Sequence, residues 1–145
     1  MLQREITGPL GMHDTVLPGG LSAAYPAGGL RSTARDMLRF GEANLGHPKF
    51  DGAAVPPELV AAMKLAQRPR YALPEGGRQQ ALAWVVEAGD AARGRGPLVH
   101  KNGAISTFSS VILLDPGRDM VIFLAANAAG VPTTALAIKL ARQIP

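Results

Sequence analysis

One short stretch of the chain combines residue types that can do polar chemistry at the end of a predicted strand. His100-Lys101-Asn102-Gly103-Ala104 follows the apolar pair Leu98-Val99. A lysine there places a positive charge at a sheet edge, where it can attract a carboxylate or lower the pKa of a neighbouring hydroxyl. Gly103 has no Cβ, so an extended ligand can lie against the strand and hydrogen-bond to its main chain. The stretch therefore predicts a strand edge with a binding or catalytic role. The alternative interpretation is a solvent-exposed turn without such a role.

The sequence lacks the residues of most other catalytic centres. It contains no cysteine, and its three histidines, His13, His47 and His100, are too far apart to form a metal-binding motif. It also has no G-x-x-x-x-G-K-[ST] phosphate loop and no G-x-S-x-G nucleophile elbow. We therefore expect no metal and no cofactor, and we exclude the nucleotide-binding and α/β-hydrolase classes.

Length and composition are those of one globular domain. The chain has 145 residues, of which 47% are hydrophobic and 18% charged, and this suffices for one core but not for two domains. Its net charge is +4, but the basic residues are scattered and the aromatic ones few, so we expect no nucleic-acid binding. No apolar run approaches the roughly twenty residues of a membrane span, and the N-terminus has no signal-peptide core.

Capping signals predict two helices in the first half of the chain. Residues 1–31 are rich in glycine and proline and predict an irregular segment. Thr33 can cap a helix with Asp36 three residues later, as a capping box requires, and Gly46 suits the end of that helix. A second, proline-initiated helix is predicted within residues 56–69.

The second half of the chain carries the strand signals. Strands are predicted over 81–87 and 98–101, and a hairpin is predicted from the arms 109–114 and 120–124. Because both arms are almost continuously apolar, layers must cover both faces of the sheet, and a terminal helix within 133–142 provides one cover. We therefore predict an α+β fold in which an antiparallel β-sheet is flanked by helices. The predicted organisation is one domain over 1–145, with helices and loops over 1–80 and strands plus the C-terminal helix over 81–145.

The order of these motifs resembles the class C serine β-lactamases. His100-Lys101-Asn102-Gly103, the strand pair after it and the ending Leu124-Ala125-Ala126-Asn127 follow one another as in that family. The upstream stretches Pro9–Thr15 and Gly28–Met37 are also similar to this family, which includes DD-peptidases and related esterases. The resemblance runs from about residue 9 to the end and covers only the C-terminal part of the family's sequence. Lys101-Asn102-Gly103 stands where the family has its third box, K-T-G.

The resemblance implies that this box lies on the strand bordering an active-site cleft. It assigns Lys101 to the proton-transfer network and to the substrate carboxylate, and Asn102 to polar contacts. The Ala104 N–H would form half of an oxyanion hole, with Gly103 and Ile105 in the substrate-binding edge. The implied substrates are β-lactams, D-Ala-D-Ala peptides or small esters, and the implied location is periplasmic or secreted.

Two of the family's three catalytic boxes are absent from the sequence. No serine is followed three residues later by lysine, so the chain has no S-x-x-K nucleophile box. Neither Tyr25 nor Tyr71 has an asparagine two residues later, so Y-x-N is missing as well. Because nucleophile and base act as a unit, we expect the chain to be inactive alone and to need an N-terminal half that supplies both.

Departures from the family pattern leave other functions open. Ile105-Ser106-Thr107 replaces the small residues that usually follow the box and can narrow the cleft. No further asparagine follows Asn127, which favours peptidase or esterase relatives over an efficient β-lactamase. One alternative is a non-catalytic module that holds a peptide or acyl-peptide at the Lys101 strand edge. The other is a structural fragment that forms homo-oligomers through an exposed sheet edge.

The remaining polar candidates have ordinary structural interpretations. Ser106, Ser109 and Ser110 have no predicted base beside them, so they are interpreted as strand hydroxyls that bond to backbone or to each other. A lone histidine on an apolar strand, such as His100, is more often packed and hydrogen-bonded than functional. The two arginines within residues 89–97 are interpreted as part of a solvated loop.

Overall fold

A six-stranded antiparallel sheet organises the chain, and the computed structural model describes residues 1–18, 28–74 and 76–144. The helices are α1 (Ala34–Leu45), α2 (Pro57–Ala66) and α3 (Thr133–Gln143). The strands are β1 (Lys49–Phe50), β2 (Ala53–Ala54), β3 (Tyr71–Ala72), β4 (Gln79–Gln80), β5 (Val85–Glu87), β6 (Leu98–Ile105), β7 (Phe108–Asp115) and β8 (Met120–Ala126). β1 and β2 form a separate small hairpin, and β3 to β8 follow one another across the main sheet in chain order. The predicted α+β class is confirmed.

Helices α1 and α3 cover opposite faces of the central strands. Leu114 of β7 belongs to a buried cluster with Phe40 of α1 packed against it. Its neighbour Leu113 points the other way and packs in a second cluster with Ala137 of α3. Both leucines are fully buried, so β7 is covered on both faces, as its continuous apolar sequence predicts.

Helix α1 begins and ends where the capping signals predict. Thr33 is its N-cap, and the Thr33 Oγ1 accepts a hydrogen bond from the Asp36 N–H at 3.3 Å. Gly46 follows the helix with a φ of 103°, a left-handed conformation that favours glycine. The buried Asp36 carboxylate is used differently from a capping box, since it accepts hydrogen bonds from the Asp14 N–H and the Thr15 hydroxyl. It therefore ties the N-terminal segment to α1.

Three elements differ from the sequence prediction. A short π-helix, Gln3–Thr7, lies in the segment predicted to be irregular, of which residues 19–27 are outside the described residues. The strand predicted over 81–87 is reduced to its last three residues, because a turn with a positive φ at Ala83 closes the β4–β5 hairpin. The sheet also begins earlier than predicted, with two short strands before residue 81.

Gly41 marks a close approach of α1 to the sheet. A Cβ built on this glycine would overlap the Val121 Cγ1 atom of β8. Although alanine is the better helix former, we expect Gly41→Ala to lower the free energy of unfolding by about 1–3 kcal/mol, because the extra methyl group overpacks the interface. Urea denaturation of the variant measures the change.

Val121→Ala opens the space that the new methyl group needs. The double variant should therefore be less destabilised than the sum of the two single variants. Additive effects would contradict the close contact between Gly41 and Val121.

Candidate active site

The predicted site residues lie on the outer half of β6. This strand pairs with β7 as far as Ile105, whose partner is Phe108, but it pairs with β5 only as far as His100, whose partner is Val85. Within the described residues, no strand pairs with the other edge of β6 from Lys101 onward. Because alternate residues of an antiparallel strand direct both N–H and C=O to the same edge, the backbone donors and acceptors of this edge have no strand partner among the described residues.

The structure corrects the predicted position of Lys101 within its strand. The sequence pattern placed this residue at a strand end, but β6 continues for four more residues, to Ile105. The continuation is held by pairing with the first half of β7, across a turn formed by Ser106 and Thr107. The positive φ of 51° at Ser106 closes this two-residue turn.

The five candidate residues are exposed and alternate between the two faces of the sheet. Lys101, Gly103 and Ile105 lie on the face that α1 covers further along the strand. Asn102 and Ala104 lie on the face that α3 covers. The Lys101 ammonium makes no hydrogen bond or ion pair with the described part of the chain, so it is available to an anionic group.

Gly103 and Ile105 shape the strand edge by packing. A Cβ at Gly103 would lie 3.1 Å from the Ser110 Oγ atom, so a larger residue would press against β7. Ile105 is half exposed, as is Phe108 opposite it, and the two form an apolar rim at the end of the hairpin. Of the residues predicted to narrow the cleft, only Ile105 belongs to the strand, since Ser106 and Thr107 form the turn.

His100 is a packed histidine on the α3 face, opposite to that of Lys101. Its side chain is 5% exposed, and its Nε2 atom lies 3.0 Å from the Glu87 Oε1 atom on β5. The Nδ1 atom is buried with no hydrogen-bond partner among the described residues. The histidine therefore joins β5 to β6 where their pairing ends, which agrees with the packed interpretation.

Replacing Glu87 with leucine tests this pair. The change leaves the buried His100 Nε2 atom without its partner, and we expect a loss of about 1–3 kcal/mol in the free energy of unfolding. Replacing both residues with leucine removes both polar groups, and the double variant should recover most of the loss. Urea denaturation measures all three variants, and additive losses would show that the two side chains are not coupled.

The hairpin serines do not form a nucleophile–base pair. Ser109 is buried and donates a hydrogen bond to the Ala128 carbonyl at 3.0 Å, as expected for a strand hydroxyl. Within residues 1–18, 28–74 and 76–144, neither Ser106 nor Ser110 is hydrogen-bonded to a titratable side chain. The same residues hold no group of three side chains that could bind a metal ion, and none of their helices is long and apolar enough to cross a membrane.

Two features of this region were not found from the sequence. One is the early end of the β5–β6 pairing, which leaves the Lys101–Ile105 edge without a strand partner in the part of the chain that the structure describes. The other is the Glu87–His100 pair, which joins residues thirteen positions apart. The only sequence signal for these two features was the high density of turn residues between β5 and β6.

Comparison with known proteins identifies the family to which the chain belongs. The sequence matches the family model described as Beta-lactamase over residues 1–144. The chain therefore belongs to the β-lactamase family, and the resemblance to class C β-lactamases and penicillin-binding protein-like enzymes is confirmed. No curated protein matched the sequence.

Solved structures share this fold at low sequence identity. A class C β-lactamase is 16% identical with a TM-score of 0.76, and the match covers 99% of this chain and 50% of that one. A β-lactamase/D-alanine carboxypeptidase from Pseudomonas syringae is 18% identical with a TM-score of 0.76, covering 99% and 53%. An octameric penicillin-binding protein homologue from Pyrococcus abyssi is 15% identical with a TM-score of 0.70, covering 97% and 37%. The chain thus spans about half the length of the first two and matches their C-terminal half.

Proposed function

We propose that this chain forms one wall of the acyl-transfer site of a penicillin-recognising serine hydrolase. The observation that carries the proposal is the open backbone edge of β6, which begins at an exposed lysine with no partner among the described residues. An extended substrate can add to such an edge through main-chain hydrogen bonds. In this proposal, the family membership indicates the class of reaction, and the β6 edge is where the substrate binds.

Each residue of the edge has a role in this proposal. Lys101 attracts the substrate carboxylate and supports proton transfer at the nucleophile. The Ala104 N–H stabilises the developing oxyanion, and Asn102 makes polar contacts. Gly103 lets the substrate backbone approach, and Ile105 contacts its apolar part. The substrates are a β-lactam, a D-Ala-D-Ala peptide or a small ester, and the reaction needs no cofactor.

The nucleophile and its base come from sequence outside these 145 residues. No serine in the chain has the S-x-x-K spacing, and no tyrosine has the Y-x-N spacing. An N-terminal half, in the same polypeptide or in a separate one, provides both. The chain alone is therefore inactive, because the oxyanion donor and the lysine act only on a substrate that a nucleophile attacks.

Turnover of a chromogenic β-lactam and of a chromogenic ester tests this proposal. The purified chain should hydrolyse neither, and activity should appear when it is joined to the N-terminal half of a class C β-lactamase that carries S-x-x-K and Y-x-N. Turnover by the chain alone, lost on Ser106→Ala or Ser109→Ala, would contradict the proposal. Binding of an acyl-peptide without turnover, in the joined protein as well, would instead support a non-catalytic binding module.

A second candidate function is self-association through β8. This strand pairs only with β7, and within the described residues its other edge, Met120–Ala126, is unpaired. An apolar strand with a free edge can pair with the same strand of a second copy. Light scattering over a range of concentrations tests it, and a monomer throughout would contradict it.

A further inference from the structure

A cavity with an arginine-rich lining lies at the beginning of β6, at the end opposite to Ile105. Its volume is about 620 Å³, and Leu98, the first residue of β6, lies in its wall. Along the strand, Leu98 lies about 10 Å from Lys101 and about 23 Å from Ile105, at 3.3 Å per residue. Four arginines line it, from the loop before β6, the β7–β8 turn and the end of α3. They are Arg93, Arg95, Arg118 and Arg142.

Two of these arginines are occupied by carboxylates of the same cavity. Arg93 pairs with Asp90, and this hydrogen bond holds the pKa of the Asp90 carboxyl below its ordinary value. Arg118 donates from Nε to the Asp115 Oδ2 atom at 2.8 Å and also donates to the carbonyls of Ala141 and Ile144. The cavity carboxylates are therefore neutralised, and the C-terminal carbonyls of α3 already have a cationic partner.

The other two arginines have no direct ion pair among the described residues, although Arg95 lies near enough to Asp90 to contribute to the lowered pKa of that carboxyl. The side chains of Arg95 and Arg142 make no hydrogen bond or ion pair with the residues that the structure describes. Both also line a shallower hollow alongside, where Lys139 adds a third cation that has no ion pair with the described residues. The carboxylate of that hollow, Glu87, is turned toward His100. Like charges gathered in one concavity repel each other, and an anion placed between them removes that repulsion.

We propose that this cavity binds a phosphate-bearing small anion between Arg95 and Arg142, with Lys139 at its rim. One guanidinium group can donate two parallel hydrogen bonds to two oxygens of the same phosphate. Several neighbouring cations bind a multiply charged anion more strongly than a single carboxylate. Gly94 and Gly96 flank Arg95, and neither backbone is obstructed, since a Cβ at either would meet nothing within 4 Å. The cavity volume lies in the range of small-molecule sites, which favours a free phosphoester over a flat lipid surface.

Calorimetric titration of the chain with inorganic pyrophosphate tests this site. We expect saturable binding that weakens as salt rises, and an affinity about tenfold lower for each of Arg95→Gln and Arg142→Gln. Arg68→Gln is the matched control, because this exposed arginine after α2 lines neither hollow, and it should leave the affinity unchanged. Circular dichroism checks that the variants fold.

Two results would overturn the proposal. One is the absence of saturable pyrophosphate binding, and the other is binding that Arg68→Gln weakens as much as the cavity variants do. If pyrophosphate does not bind, arginine-dependent sedimentation with phosphatidylglycerol vesicles would assign the arginines to a lipid surface. This test is independent of hydrolase activity, since it needs only the chain itself.

Discussion

Lys101→Met is expected to lower kcat/KM by about 10²–10⁴-fold in the chain joined to a nucleophile-bearing half, the range typical of a lost proton-transfer group. The lysine is exposed on β6 and has no partner among the described residues, and in the proposed function its charge acts on the substrate and on the nucleophile. Methionine keeps the unbranched stem and removes only the ammonium. Steady-state kinetics with a chromogenic β-lactam measures the effect.

Lys49→Met serves as the control for this experiment. Lys49 is also exposed, but it lies on β1, in the separate small hairpin, and its replacement should leave kcat/KM unchanged. Similar urea unfolding of both variants would show that any rate loss is chemical. A Lys101 variant as active as the Lys49 variant would contradict the role proposed for the strand edge.

A ligand without a carboxylate separates the two functions of this lysine. A neutral ester gains nothing from binding of a substrate carboxylate, so its KM should change little in Lys101→Met, whereas its kcat should still fall. For a β-lactam, both parameters should change. If only the KM for the β-lactam changes and neither parameter changes for the ester, Lys101 binds the substrate carboxylate but takes no part in proton transfer.

Leu113→Ala is expected to lower the free energy of unfolding by about 2–5 kcal/mol, the largest stability effect anticipated in this chain. Leu113 is fully buried in the middle of β7, between His100 of β6 and Ile122 of β8, and it packs under α3. Removing three carbons there leaves a cavity that the flanking strands cannot close. Urea denaturation measures the loss.

Leu136→Ala is the matched control for this substitution. Leu136 lies on α3 but is 47% exposed, so the same chemical change should alter stability by only about 0.5 kcal/mol. Equal losses at the two positions would contradict the described packing of α3 on β7. Because domains are stable by only about 5–15 kcal/mol, the Leu113 change removes a large part of the total.

Local signals were sufficient to predict the elements that frame the site. The Thr33 cap, the Gly46 stop and the hairpin around residues 115–119 lie where the sequence predicts them. Each depends on residues within a few positions of one another, because capping, turn formation and apolar periodicity are short-range effects. The absent S-x-x-K box is equally a property of the sequence alone.

The tertiary structure decided how these elements meet. The sequence could not show that β5 begins at Val85, opposite His100, so that no described strand pairs with the Lys101 edge, nor that Arg95 of the loop before β6 lines the same cavity as Arg142 near the end of α3. These contacts join residues 13 or more positions apart, through strand register and helix docking that no local pattern encodes. The sequence therefore determined which groups the chain has and which it lacks, and long-range packing determined which of them remain free to bind.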